Sequence, residues 1–213
     1  MTCYYVQYGC GWCAPKQWLN FDCSPTLRFE RLPIIGRLYS RNAKRFPTNV
    51  RYGDIVQGLP VPKEGCEGIY CSHVLEHLAL ADFDTALRHT HDYLKVGGTF
   101  RFVLPDLEQL ARCYLADPDP LAAAHFMEAS CLGHKRRARG LRGLFAHWLG
   151  NSAHLWMWDE KAMTLKLAEH GFTNIRRAAF GDGEDQAFCE VEDKGRFEGC
   201  LAMQCRKSES GKQ

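Results

Sequence analysis

The sequence has no apolar run near the ~18 residues that a membrane-crossing helix needs. Its opening, Met1-Thr2-Cys3-Tyr4, has neither the basic start nor the apolar stretch of a secretion signal. Strong charge of either sign is also missing. The formal net charge of +2 is too small to argue for a nucleic-acid partner. There is no internal repeat, which excludes a repeat architecture. The expectation is a cytoplasmic chain with no membrane span. Cysteine, by contrast, is plentiful. There are eleven, an odd number spread over a chain of enzyme size, whereas disulfide scaffolds are short, secreted and evenly paired. These read as reduced thiols, several of them small core residues. A matched second C-x-x-C is lacking too. Cys10-Gly-Trp-Cys13 stands alone, with Cys3 and Cys23 as its only nearby candidates, and one such motif is weak support for zinc. No metal site is expected.

The 213 residues, 46% hydrophobic and 24% charged, suit one α/β domain spanning 1–213 that can bury a core. The reading centres on Gly68–Leu78, G-I-Y-C-S-H-V-L-E-H-L. A short strand, Ile69-Tyr70-Cys71, breaks into Ser72-His73, with a helix-like Val74–Leu78 behind it. In open α/β sheets, ligands bind beyond the carboxyl ends of the strands, so this polar end opens onto a crevice.

Other strand ends support that placement. Cys3–Tyr8 is β-branched and aromatic, and Gly9-Cys10-Gly11 follows it; glycines there let the backbone turn tightly and approach a ligand. Trp18–Phe21 reads as a second strand ended by Asp22, where a carboxylate can hold a ribose diol. The interval from Gly11 to Asp22 is short of the ~20 residues of a full dinucleotide-binding unit, so the intervening helix is one turn or missing. Asn49–Gly53 reads as strand three, followed by Asp54-Ile55. Asp82–Leu94 shows an apolar stripe at Phe83, Ala86, Leu87, Thr90 and Leu94, with Asp82 as its cap and Gly97-Gly98 as its stop; His89 and His91 lie off the stripe and read as solvated. Thr99–Leu104 is a strand ended by Pro105-Asp106, and Asp106 can cap the helix that follows.

With L-K-V-G-G-T-F-R-F-V-L-P-D downstream, G-C-G-W-C-A-P-K-Q-W-L-N-F-D and S-H-V-L-E-H-L resemble class I S-adenosylmethionine-dependent methyltransferases, in particular a group of small bacterial type 11-like enzymes. The resemblance covers Cys3–Leu110 well and the rest only as a fold pattern. It implies a Rossmann-like, doubly wound seven-stranded sheet, mostly parallel with an antiparallel last strand, and S-adenosyl-L-methionine as cofactor. It also implies that Asp54 takes the adenine amino group and Ile55 packs on the ring. The expected cofactor residues are thus Gly9, Cys10, Gly11, Asp22, Asp54, Ile55 and Ser72. His73, near where the methyl would lie, is the candidate base; His77 lies one turn on, and Asp106 could orient His73.

Residues 117–158 read as a helical insertion or lid. Leu121–Leu132 looks helical, and Leu141, Leu144, Phe145, Trp148 and Leu149 form a second amphipathic face. Lys135, Arg136, Arg137, Arg139 and Arg142 are either a solvated face or a platform for an anionic or polar acceptor. Glu160–His170 reads as a helix, and Thr173–Phe180 and Cys200–Lys207 as the last strands. The acidic loop between them (Asp182, Glu184, Asp185, Glu190, Glu192, Asp193) has no assigned role. The expected activity is methyl transfer to a hydroxyl or amine of a small molecule or glycan. A silent cofactor-binding subunit and a dinucleotide-dependent oxidoreductase stay open, although the third glycine of the dinucleotide fingerprint is absent.

Overall fold

In the computed structural model, which describes residues 4–33, 36, 44–133 and 153–208, seven strands form one sheet. They are β1 Tyr4–Tyr8, β2 Trp18–Asp22, β3 Val50–Tyr52, β4 Cys66–Ser72, β5 Leu94–Pro105, β6 Phe172–Arg177 and β7 Cys200–Lys207. Their spatial order is β3-β2-β1-β4-β5-β7-β6. Strands β1 to β5 pair in parallel, and β7 runs antiparallel to both β5 and β6. This is the mostly parallel sheet with a reversed last strand that the sequence predicts. The order turns back between β1 and β4, the switch point where such sheets hold ligands. The helices among the described residues are α1 Pro25–Glu30, α2 Leu80–Tyr93, α3 Leu107–Ala116, α4 Ala122–Ala129, α5 Glu160–Glu169 and α6 Lys194–Phe197. None is long and apolar enough to cross a membrane.

Side chains alternate across each strand, and here they sort the sheet into two unlike faces. Val6, Tyr8, Phe21, Ile69, Cys71, Phe100, Phe102 and Met203 build the main core with Phe83, Ala86 and Leu87 of α2 and Met163 and Leu167 of α5. The opposite face carries Trp18 and Tyr70, which pack on Phe188 and Val191 from the connection between β6 and β7.

Several boundaries differ from the sequence reading. Helix α2 starts at Leu80 behind Ala79, with no side-chain cap, so Asp82 lies inside its first turn. It ends at Tyr93, before Gly97-Gly98, because Leu94 already pairs with Cys66; the glycines fall in the irregularity before Thr99 pairs with Gly68. Val74–Leu78 shrinks to a 3-10 turn, Leu75–His77. His89 and His91 are half-buried rather than solvated: His89 Nδ1 lies 2.7 Å from the Ile55 carbonyl oxygen, and His91 meets the Phe172 ring edge-on. The Lys135–Arg142 cluster and the Leu141–Leu149 face lie outside the described residues.

The acidic loop acquires a role. Arg101 of β5 is 1% exposed. Its guanidinium donates to Glu192 (Nε, 2.8 Å), Asp182 (2.9 Å) and Gln204 (2.6 Å) and to the Ala179 carbonyl. Asp185 caps the 3-10 turn Gln186–Glu190, Asp193 caps α6, and Glu184 pairs with Arg206. These carboxylates tie the β6–β7 connection to the sheet. Arg101→Met should therefore lower the unfolding free energy by about 3–5 kcal/mol, because Glu192 stays buried without its partner. Urea denaturation followed by circular dichroism measures this, and adding Glu192→Leu should recover much of the loss. Burial works against ionised Asp182, but Arg176 and Arg101 outweigh it and bring its pKa from 3.8 to about 2. A depressed folded pKa gives stability that is complete above the ordinary value and lost as pH falls from there toward 2. Asp182→Asn should shrink the acid-side loss of stability in that window.

Candidate active site

The site starts from an unusually short connection. Nine residues, Gly9 to Gln17, join parallel strands β1 and β2, where such crossovers normally take a dozen or more and a helix. Two glycines in the left-handed region, Gly9 (φ +66°) and Gly11 (φ +53°), make the turn. Beneath it, the Gln7 side-chain amide donates to Asn20 (2.6 Å) and to the Cys13 carbonyl (2.8 Å). The Asn20 amide donates to the carbonyls of Pro15 (2.9 Å) and Trp18 (2.8 Å). Above it, the Asp22 carboxylate accepts from Gly11 N (2.9 Å) and Ser24 N (2.8 Å), one bond on each oxygen. Each oxygen retains a second acceptor direction. At the end of β3, Asp54 accepts from Val56 N at 2.9 Å. Ile55 is buried in the main core.

A cavity of about 400 Å³ opens between the β1 turn and the β6–β7 connection. Gly9, Cys10 and Ser72 of the expected cofactor set line it; Gly11, Asp22, Asp54 and Ile55 are not among its walls. The rest of the wall includes Trp12, Lys44, Glu192, Asp193 and Arg196, none of which the sequence reading placed in the site. Arg196 Nη1 donates to the Ser72 carbonyl at 3.2 Å and lies 3.4 Å from its hydroxyl. Burial, followed by nearby Asp22, pushes the Cys10 thiol up to about 12, and burial raises Cys13. Both are thiols, not thiolates, at neutral pH. The ten cysteines among the described residues are free.

Beyond Ser72 the chain enters a strained position: His73 has φ +54°. Its partner is Glu76, not Asp106. His73 Nδ1 lies 3.1 Å from Glu76 Oε1, and Nε2 faces the Arg196 carbonyl (3.4 Å) and the Cys200 sulfur (3.9 Å). Burial disfavours protonated His73, but the contacts with Cys200 and Glu76 outweigh it and push its pKa up to about 9. An imidazolium there donates a proton more readily than it takes one. Asp106 is committed elsewhere: Oδ1 caps α3 through Glu108 N and Gln109 N, and Oδ2 accepts from Arg177 at 2.6 Å. His77 Nδ1 binds the Ala153 carbonyl at 3.0 Å, which turns its other nitrogen toward Glu76. The sequence reading left Glu76 out of the expected site; the left-handed backbone at His73 and the short 3-10 turn Leu75–His77 that replaces a helix bring the two side chains together.

Comparison with known proteins agrees with this geometry. The profile of a family described as a methyltransferase domain matches residues 10–177. No curated protein matches the chain significantly in sequence. Among solved structures, an S-adenosylmethionine-dependent methyltransferase from Archaeoglobus fulgidus aligns with TM-score 0.51 at 13% identity, over 97% of this chain and 86% of that one. Another from Thermotoga maritima, described as a possible histamine N-methyltransferase, aligns with TM-score 0.51 at 14% identity, over 96% and 82%. At such identities the likeness is one of fold. Sheet order, the glycine turn and the family match together make this chain a member of the methyltransferase-domain family, within the class I S-adenosylmethionine-dependent superfamily.

The turn itself can be tested. A Cβ on Gly9 would fall 2.2 Å from Val74 Cγ2. Gly9→Ala should cost about 1–3 kcal/mol from overpacking, and roughly 1 kcal/mol more from the left-handed backbone. Thermal denaturation should show Val74→Ala restoring the overpacking part but not the strain.

Proposed function

We propose that this chain transfers the methyl group of S-adenosylmethionine to a hydroxyl, or secondarily an amine, of a polar or anionic small molecule or glycan. The observation that carries the reading is the cavity at the β1 and β4 strand ends, bounded by Gly9, Cys10 and Ser72. Its size lies within the usual range for small-molecule sites. The residues present fit such a cofactor. Among the described residues nothing lies within 4 Å of where a Cβ on Gly11 would stand, which leaves room for a ligand to approach its backbone. Asp22 has acceptor capacity left beside that turn, where a ribose diol would bind, and Asp54 follows on the next strand end as the group for the adenine. Ile55 would serve the adenine through the backbone it fixes behind Asp54.

When bound, the cofactor supplies a methyl group activated by its sulfonium. The protein's part is to align the acceptor with it and to exclude water. Lys44, Arg196, Glu192 and Asp193 give the cavity wall both charges, which favours an acceptor rich in hydrogen-bonding groups. His73, just past Ser72, is the group proposed to meet the acceptor, with His77 behind it turned toward Glu76 and Asp106 fixing the β5 end. The free thiols suit the reducing environment of a cytoplasm.

Calorimetry should show binding of S-adenosylmethionine and of S-adenosylhomocysteine. Asp22→Ala should weaken both by about 1.5–3 kcal/mol, the scale of a hydrogen bond to a charged group. A methyl-release assay over sugars, polyols and amines should favour hydroxyl acceptors. No heat with either cofactor form, combined with tight NADH binding, would overturn the methyl-transfer reading; turnover of amines alone would overturn the hydroxyl assignment.

A further inference from the structure

Past the end of β4, three histidines surround one buried carboxylate. Glu76 has a side chain 1% exposed, and those of His77 and His154 are 19% and 10% exposed. Their ring nitrogens Nε2 each lie 4.0 Å from Glu76 Oε1, and one donor atom from each of the three falls within 4.8 Å of the others. We propose that Glu76, His77 and His154 bind a divalent first-row transition-metal ion, in a two-histidine, one-carboxylate site at the mouth of β4.

The second layer is already that of a metal site. The Ala153 carbonyl, 3.0 Å from His77 Nδ1, can only accept, so Nδ1 carries the hydrogen and Nε2 presents its lone pair to Glu76. Ligand histidines are characteristically held this way. His73 Nδ1 holds Glu76 Oε1 at 3.1 Å, which orients the carboxylate. The other oxygen, Oε2, is buried without a partner among the described residues, although a bare buried acceptor is costly. The loop that brings His154 in is fastened to the same turn: the Glu76 carbonyl accepts from Leu155 N (2.7 Å) and Trp156 N (3.2 Å).

Bonds of about 2.1 Å in a tetrahedral site place donors roughly 3.4 Å apart. Binding therefore draws these side chains together by about 1 Å, within reach of small side-chain rotations. Three protein ligands leave a position open, the pattern of catalytic rather than structural sites. Two of the ligands, Glu76 and His77, follow four and five residues after Ser72, which lines the cavity. At the open position a coordinated hydroxyl would give up its proton more easily. Two imidazoles and a carboxylate select transition metals over magnesium.

The test needs neither cofactor nor acceptor, so its outcome is separate from that of the methyl-transfer reading. Chelator-stripped protein is titrated with Co²⁺ and Zn²⁺ by calorimetry, and the Co²⁺ form is examined by absorption. The expected result is one ion per chain with weak visible bands and no intense near-ultraviolet thiolate band. His77→Ala and His154→Ala should each weaken binding by more than the 10–100-fold typical of an outer-shell change, and His73→Asn should weaken it by about 10–100-fold. Asparagine tolerates the left-handed backbone at that position. Mg²⁺ should bind far more weakly, and Cys10→Ser/Cys13→Ser should have no effect. The wild-type spectrum does not depend on how any variant folds, and thermal melts check the variants. No binding of Co²⁺ by the wild type, an intense thiolate band, equal affinity for Mg²⁺, or unchanged affinity in a folded His154→Ala protein would overturn the proposal.

Discussion

A crossover too short to hold a helix governs much of this structure. Nine residues between β1 and β2 form only turns, so that connection leaves the face bearing Trp18 and Tyr70 bare. Exposed aromatic surface of that kind must be covered. Here the cover comes from the far end of the chain, where Phe188 and Val191 settle onto Trp18 and Tyr70. The fit is close enough to require Gly68, where a Cβ would meet Phe188 Cζ at 2.9 Å. The same covering segment then supplies Glu192, Asp193 and Arg196 to the cavity. One missing helix thus accounts for both the cover and one wall of the site.

Two buried charges in this fold follow opposite logic. Arg101 is surrounded by acceptors: two carboxylates, an amide oxygen and a carbonyl share its guanidinium. A charge so completely satisfied acts as a fastener, and the low dielectric around it makes each bond strong. Glu76 is as deeply buried, but one oxygen has no partner among the described residues and two imidazoles stand just beyond bonding distance. Satisfaction marks the first as structural; the proposed metal ion would satisfy the second.

The sheet was legible in the sequence because its strands are short, apolar and punctuated by glycine, proline or aspartate. The turn at Gly9-Cys10-Gly11, Asp22 at the end of β2 and the Asp106 cap could all be read from local pattern. The helix boundaries could not: Leu94 looks like the last residue of the α2 stripe, yet pairing with Cys66 claims it for β5. The roles of Glu192 and Arg196 were hidden for another reason. Their partners, Arg101 and Ser72, lie 91 and 124 residues away, and no spacing rule links positions that only the finished sheet brings together. His154 was invisible to the reading on the same ground, and Glu76 because a 3-10 turn replaced the α-helix its sequence implied.

The placement of the last strand bears on how the molecule is made. β7 does not sit at the edge; it fills the slot between β5 and β6. Until Cys200–Lys207 leave the ribosome, β5, a strand of 12 residues, keeps one edge unpaired, and until Phe188 and Val191 do, the Trp18 face has no cover. An open edge beside exposed aromatics is a template for pairing with other chains. The nascent protein therefore passes through an aggregation-prone state that lasts until β7 is in place. A chaperone that shields the β5 edge would matter most between the synthesis of β5 and that of β7.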